Sequence, residues 1–305
     1  MRLTVGILTY NSERMLPDLL ASLPAGLAGV DDWQLVIADG ASTDGTVEVA
    51  RRLAPGTAVA GLGANRGFAA AANAVISFDP SADAVLILSP TVRLSPGCVR
   101  PMLAALARPG AGIAVPRLFR GTGRPYPSLR RRPTLLRAWS EALLGGRLAR
   151  RIGALSELIA GPEGYTSQTR ADWATGAVTM VSRECLKQAG EWDETFFLYS
   201  EETEFELRAR DAGFAVTFVD VNVTHLGGVA RVRPDLYALQ CANRVRLYAM
   251  RHRAAAAAMF WAAIAVGEAL RALPRHAPLH RAAIRKLRRE RRALISGRPA
   301  QAGQA

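Results

Sequence analysis

Residues 37–46 read IADGASTDGT: apolar residues suited to a buried strand stop at an acid and a glycine, and a turn-forming run follows. From about Val47 the pattern turns helical, so this stretch is the hinge of a strand-turn-helix unit. The same unit recurs on either side. Upstream, Leu3 to Thr9 is strand-like, Ser12 is placed to cap a helix to about Leu23, and Gln34 to Ala38 is the strand that enters the quoted turn. Downstream, Ala58 to Gly61 is a weaker strand, Gly67 to Ile76 a helix and Ala84 to Leu88 a buried strand. Repetition at this spacing predicts an α/β fold whose mostly parallel sheet carries helices on both faces. Ligands of such sheets bind beyond the carboxyl ends of the strands. The positions to weigh are therefore Thr9-Tyr10-Asn11, Asp39-Gly40, Asn65-Arg66-Gly67 and Ser89-Pro90-Thr91.

At 305 residues and 50% hydrophobic content the chain can bury a full core. Cys98, Cys185 and Cys241 lie far apart without metal-ligand spacing, which points to a reducing compartment and against a disulfide framework or structural zinc. The opening MRLTVGILTYNS runs directly into strand alternation and lacks the sections of a signal peptide, so a cytoplasmic location is expected.

The net charge of +13 is uneven. Nine basic residues from Arg275 to Arg298 face only Glu290, and a second basic stretch runs from Arg130 to Arg151. Such patches attract anionic surfaces. No zinc-finger, aromatic RNA-binding or helix-turn-helix signature accompanies them, so an acidic membrane surface is preferred and no nucleic acid is expected. Thr134 to Ile152 reads as one amphipathic helix, a helix starts near Ser200 and stops at Gly213, and Val216 to Val219 and Val221 to His225 return to strand. Leu236 to His252 is helical. The apolar run from Ala254 to Gly267 falls short of the roughly 20 residues of a spanning helix and suits a buried or interfacial one. From Pro278 to Ile295, Ile284, Leu287 and Leu294 can share a face amid arginine, as in a helix lying on an acidic membrane or one packed on the domain.

ILTYNS, IADGASTDGT, NRGFAAAAN and LILSPTVRL occur in the order shown by inverting family 2 glycosyltransferases, and VPRL, Arg132-Pro133, DWATGA, FFLYSEETEFELR, HLGG and NRVRLYAMRH follow in order. Together, over roughly Leu3 to His252, they resemble the bacterial rhamnosyltransferases that act on N-acetylglucosaminyl-diphospho-polyprenol. The resemblance implies a GT-A fold over residues 1–232, with a nucleotide-binding part to about 118 and an acceptor part from about 119, followed by a basic helical extension over 233–305. It implies a nucleotide-sugar donor, L-rhamnose as its dTDP conjugate, and a lipid-linked or polysaccharide acceptor; the charge pattern of the basic C-terminal helix adds the expectation of attachment to the inner face of the cell membrane.

The resemblance places Thr9, Asn11 and Asp39 in the nucleotide site with Tyr10 at its border. Tyr10 offers a flat surface and Asp39 an acceptor for a base imide N–H, although an aspartate there equally satisfies N–H groups of the turn. Asn65, Arg66 and Gly67 precede a helix whose free N–H groups favour an anion or a polar ligand. Inverting transfer needs a general base, and the family's E-D-x-D segment stands here as Glu201-Glu202-Thr203-Glu204, which makes Glu202 the base candidate with one methylene more than aspartate. Trp173, Thr175, Gly176 and Glu201 fall on the acceptor side, and Arg244 is a candidate partner of a diphosphate. A divalent cation, Mg2+ or Mn2+, is implied with His225 near it, but the strand end usually written Asn-Pro-Asp is Ser89-Pro90-Thr91. Threonine is a poor ligand for a hard dication. Two outcomes follow: an active transferase, or a chain that binds sugar nucleotides or scaffolds a glycan assembly complex without turnover.

Overall fold

A computed structural model describes residues 1–161, 164–166, 169–227, 233–273 and 277–299. The expected boundary at residue 232, Gly228 of the HLGG motif and Arg275 lie outside them.

The strands are β1 (Leu3–Thr9), β2 (Trp33–Asp39), β3 (Ala58–Gly61), β4 (Ala84–Leu88), β5 (Val92–Leu94), β6 (Ala111–Arg120), β7 (Pro125–Tyr126), β8 (Leu129–Arg130), β9 (Arg170–Ala171), β10 (Trp173–Ala174), β11 (Val178–Ser182) and β12 (Ala215–His225). The helices that position the site are α1 (Leu16–Gly26), α2 (Thr46–Leu53), α3 (Phe68–Phe78), α4 (Val99–Leu106), α5 (Leu135–Leu143), α6 (Gly145–Arg151), α7 (Arg183–Ala189), α8 (Glu201–Asp211), α9 (Pro234–Arg251), α10 (Ala254–Arg271), α11 (Pro278–Arg289) and α12 (Arg291–Ile295).

The main sheet runs β3-β2-β1-β4-β11-β6-β12-β5, parallel from β3 through β4, with β11 antiparallel to both its neighbours and β12 parallel to β6. Alternation along the central strands separates two cores. On β4, Ala84, Leu86 and Leu88 join α1 and α4 on one face, while Val85 and Ile87 join α3, α7 and α8 on the other. Both faces are therefore covered, as the strand-helix repetition predicts. A third core gathers Ala138 of α5, Val245 and Tyr248 of α9, Phe260 and Ile264 of α10, Leu287 of α11 and Leu294 of α12.

Several local expectations are corrected. Ser12 does not cap the first helix: its hydroxyl turns to the backbone of Tyr10, and α1 starts at Leu16, where Pro17 suits the first turn. The helix expected over 134–152 is two, because Gly145 takes φ +75° and ends the α5 geometry. The two strands expected near 216–225 are one, β12, with its register shifting between Val219 and Asn222. α10 extends to Arg271 and is long and apolar enough to cross a membrane by length and composition, yet Ala257, Phe260, Ala263 and Gly267 are buried within the protein. In the tail, Leu287 and Leu294 are fully buried and Ile284 is half-buried, so α11 presents arginine rather than an apolar face to the outside.

Candidate active site

At the ends of β1 and β2, Thr9 and Asp39 are paired in register and the Thr9 hydroxyl donates to Asp39 Oδ1 at 2.8 Å. The remaining partners of this buried carboxylate come from its own turn: Ser42 N donates to Oδ2 at 2.8 Å and the Ser42 hydroxyl to Oδ1 at 2.6 Å. Asp39 thus makes the turn contacts, and the second lone pair of Oδ2 is what remains for a base N–H. Asn11, at φ +47°, accepts from Thr43 N at 2.9 Å, which ties the first strand end to the same turn. The Tyr10 ring is exposed beside them.

Asn65 joins this group: Oδ1 accepts Gly67 N at 3.1 Å and lies against Gly40. Gly67 has φ +90° and ψ −178°, a conformation open essentially to glycine alone. A Cβ there would sit 2.0 Å from the Phe197 carbonyl, to which Phe68 N donates at 3.1 Å. The loop before α3 is therefore clamped to the loop before α8. Arg66 pairs with Glu194 at 2.5 Å and stays more than half exposed.

The corner after β4 is built from hydroxyls. Ser89 Oγ and Thr91 Oγ1 are 2.8 Å apart, and Leu226 N donates to the Thr91 carbonyl at 2.8 Å. That bond, with the pairing of His225 to Val92, brings His225 to Thr91. The imidazole stands edge-on to Tyr126 at 5.3 Å, and its buried Nδ1 has no hydrogen-bond partner. Burial, helped by Arg120, pushes the His225 pKa down and holds the ring neutral. Among the described residues no group of three or more His, Cys, Asp or Glu side chains is placed to hold a metal ion. One neutral imidazole and two hydroxyls do not fit a hard dication retained by the protein.

Of the residues expected on the acceptor side, Trp173, Thr175 and Arg244 line a cavity of about 320 Å³ together with Tyr126, Arg130 and Glu202 among others, while Gly176 and Glu201 are not among its lining residues. The short β8-β10 pairing sets Arg130 opposite Trp173, whose ring lies 5.1 Å from the guanidinium and whose Nε1 donates to the Arg131 carbonyl at 3.1 Å. Thr175 N donates to Ser128 O at 3.1 Å, and a Cβ on Gly176 would stand 3.1 Å from Glu202 Cβ, so this turn packs directly on the base candidate.

Glu202 stands in the first turn of α8. Tyr199 and Ser200 precede it at φ +67° and +74°, and Asn243 Nδ2 holds this strained turn by donating to Leu198 O at 2.9 Å and Tyr199 O at 3.1 Å. Glu202 Oε2 is buried without a partner, as are Glu201 Oε2 and Glu206 Oε1. Burial raises the Glu202 pKa above the usual carboxylate range, against backbone hydrogen bonds and the Arg130 charge. Burial also raises Glu201 and Glu206, the first further by the charge of Glu202, and Glu206 is held by Ala174 N at 2.5 Å. A carboxylate poised above its usual range in a lined cavity can take a proton.

Arg244 reaches this cavity but is committed: Glu157 accepts from it at 2.7 Å, and Glu141 lies at 3.6 Å. Burial opposes its charge, and the two glutamates outweigh burial and push its pKa up. Arg246 is likewise internal, 3.6 Å from Asp193 and over the Phe196 ring at 4.0 Å. Within this cavity, the guanidinium open to an anionic ligand is instead that of Arg130, whose buried Nε has no hydrogen-bond partner. Sequence patterning passes over Arg130, Glu206 and Tyr126; the DWATGA motif contains Trp173, the strand partner of Arg130, and is the one signal that leads to that arginine.

A family model described as glycosyl transferase family 2 matches residues 4–157. The N-acetylglucosaminyl-diphospho-decaprenol L-rhamnosyltransferases of Mycobacterium tuberculosis strains H37Rv and CDC 1551 are 31% identical over 228 residues, 71% of this chain and 73% of theirs. A mannosyltransferase from Pyrobaculum calidifontis, solved with GDP-Man and Mn2+, is similar with a TM-score of 0.58 at 17% identity, over 96% of this chain and 80% of that one. TarS 1–349 of S. aureus has a TM-score of 0.52 at 16% identity, over 96% of this chain and 91% of that one. Identities this low carry the fold alone, and that fold is GT-A.

Proposed function

Because the chain belongs to glycosyl transferase family 2, we propose that it is an inverting hexosyltransferase of cell-envelope glycan synthesis. It moves L-rhamnose from a dTDP conjugate onto an N-acetylglucosamine linked through diphosphate to a lipid. The named relatives supply the sugar and the acceptor class. The observation that carries the chemistry is Glu202, with its partnerless Oε2 in a cavity walled by Arg130 and Trp173.

In this mechanism an acceptor hydroxyl enters the cavity and gives its proton to Glu202 as its oxygen attacks the anomeric carbon. The new carbon–oxygen bond forms opposite the breaking bond to the nucleoside diphosphate, and configuration inverts. Thr9, Tyr10, Asn11 and Asp39 hold the base and ribose, while Asn65 and the Gly67 loop meet the sugar. Of the arginines near the strand ends, Arg93 is tied to Asp18 at 3.0 Å and donates to the carbonyls of Pro90 and Val92. Arg66, exposed beside Glu194, is the group that meets the leaving diphosphate. The corner of Thr91 and His225 supplies no carboxylate for a divalent cation, and no step is routed through one. The two-part organisation, residues 1–232 and 233–305, and a cytoplasmic membrane-face location belong to the same proposal.

The Ser89–Thr91 hydroxyl pair favours a second reading, a sugar-nucleotide-binding scaffold without turnover. A hydrolysis and transfer screen over several sugar nucleotides, run with EDTA or with Mg2+ or Mn2+, separates the two. The expected result is rhamnosyl transfer that falls less than tenfold in EDTA. Donor binding with no transfer under any condition establishes the scaffold instead.

A further inference from the structure

The basic stretch between Arg130 and Arg151 has a structural context that sugar transfer does not use. Along α5, the turn after it and α6, five large apolar side chains face outward: Leu136 (62% exposed), Leu143 (63%), Leu144 (44%), Leu148 (44%) and Ile152 (52%). Leu136 and Leu143 are seven residues apart on α5, and Leu148 and Ile152 four apart at α6, spacings that place each pair on one helix face. α10 lies against α5 where Gly267 approaches Ala142 and Arg271 donates to the Glu141 carbonyl. Just beyond that contact Leu270 and Leu273 are exposed as well. Patches of this kind on soluble proteins mark interaction sites.

Charge decides the partner. Arg147, Arg150 and Arg151 are exposed among these leucines, and no acidic residue occurs from Ala142 to Ser156. Apolar side chains interleaved with arginine match the boundary between acyl chains and anionic headgroups, where long basic side chains reach the phosphates. The expected membrane helix, α11, lacks this combination because Leu287 faces inward. The inner sides of α5 and α10 supply Glu141, Glu268 and Arg271 to the acceptor cavity.

We infer that the α5–α6 surface, extended by the end of α10, docks on an anionic lipid bilayer. It seats the mouth of the acceptor cavity at the headgroup level, where a lipid-linked sugar is presented. The docking surface stands on exposure and charge; only the presentation of the sugar rests on the acceptor class proposed above.

Co-sedimentation of the full chain with vesicles, without donor or acceptor, tests the surface independently of turnover. Vesicles of phosphatidylcholine alone are compared with vesicles containing phosphatidylglycerol. The combined Leu143→Ser, Leu148→Ser and Ile152→Ser variant is expected to lose at least tenfold of its partitioning. Arg147→Ser with Arg150→Ser and Arg151→Ser is expected to lose at least fivefold on the anionic vesicles only, and Arg285→Ser with Arg288→Ser and Arg289→Ser less than either. An unchanged melting transition shows that the variants fold. Because the three native cysteines are buried, a fluorophore on Leu148→Cys reports insertion directly, with an expected blue shift on anionic vesicles. Wild-type partitioning by the serine variant, an unshifted probe, or a wild-type dimer broken by the leucine changes without vesicle binding overturns the inference.

Discussion

The donor and acceptor sides of the cleft are built on opposite electrostatic terms. At the ends of β1 and β2 the polar atoms satisfy one another: Asp39 takes bonds from Thr9 and Ser42, and Asn11 from Thr43. At the start of α8, Glu201, Glu202 and Glu206 each keep a buried oxygen without a partner. A satisfied carboxylate stabilises a turn, whereas a desolvated one holds its proton more tightly and becomes a base of useful strength. The first arrangement suits the proposed donor-binding surface, and the second suits the proposed general base.

The largest break in that contrast is Glu202→Gln. It should lower turnover by about 10³-fold, within the usual range for loss of a general base, while dTDP titration shows donor affinity unchanged. Turnover of the wild type should rise with pH through the elevated Glu202 pKa and then level off, because only the ionised form accepts a proton. Stability runs the other way. The folded state prefers protonated Glu202, so that contribution is complete below the unfolded pKa of about 4.3 and is lost as pH rises through the folded value. Melting curves across this window should show a shallower decline for the glutamine variant.

A smaller effect is expected where the two sides touch. Gly67→Ala puts a Cβ against the Phe197 carbonyl in a backbone conformation closed to alanine. It should cost about 3 kcal/mol in denaturant unfolding and weaken donor binding and transfer together, since the loops before α3 and α8 can no longer meet. The mildest is Asp39→Ala, expected to weaken dTDP or UDP binding about tenfold, or about 1.4 kcal/mol. Calorimetry showing unchanged affinity would leave Asp39 as turn chemistry alone.

Much of the donor side was legible in the chain. The bounds of β1 and β4 coincide with the runs read for them, because strands buried on both faces are largely apolar, and those of β3, a half-buried edge strand, coincide as well. The turn chemistry of IADGASTDGT likewise marks where β2 ends, at Asp39. The acceptor side was legible in part. Glu202, Trp173, Thr175 and Arg244 line one cavity, but in the sequence Arg130 is one member of a basic run and Arg244 a candidate partner of a diphosphate. Which arginine is paired depends on Glu157 and Glu141, distant in sequence and brought in by α5 and the segment after it. Short-range errors had short-range causes, as at Gly145, where a positive φ divides an otherwise convincing amphipathic helix.

By itself, then, the sequence determined the layered α/β core, the places where its parallel strands end, and the absence of a carboxylate at Thr91. These follow from local composition and periodicity, and no packing can change them. Tertiary structure alone decided which charges are neutralised, which glutamates are stripped of water, and which leucines stay outside. Leu287 and Leu148 both sit in arginine-rich helical segments, yet one is enclosed by α9 and α10 and the other is exposed. Burial is a property of what packs alongside, and the same residue pattern acquires its role only when its neighbours arrive.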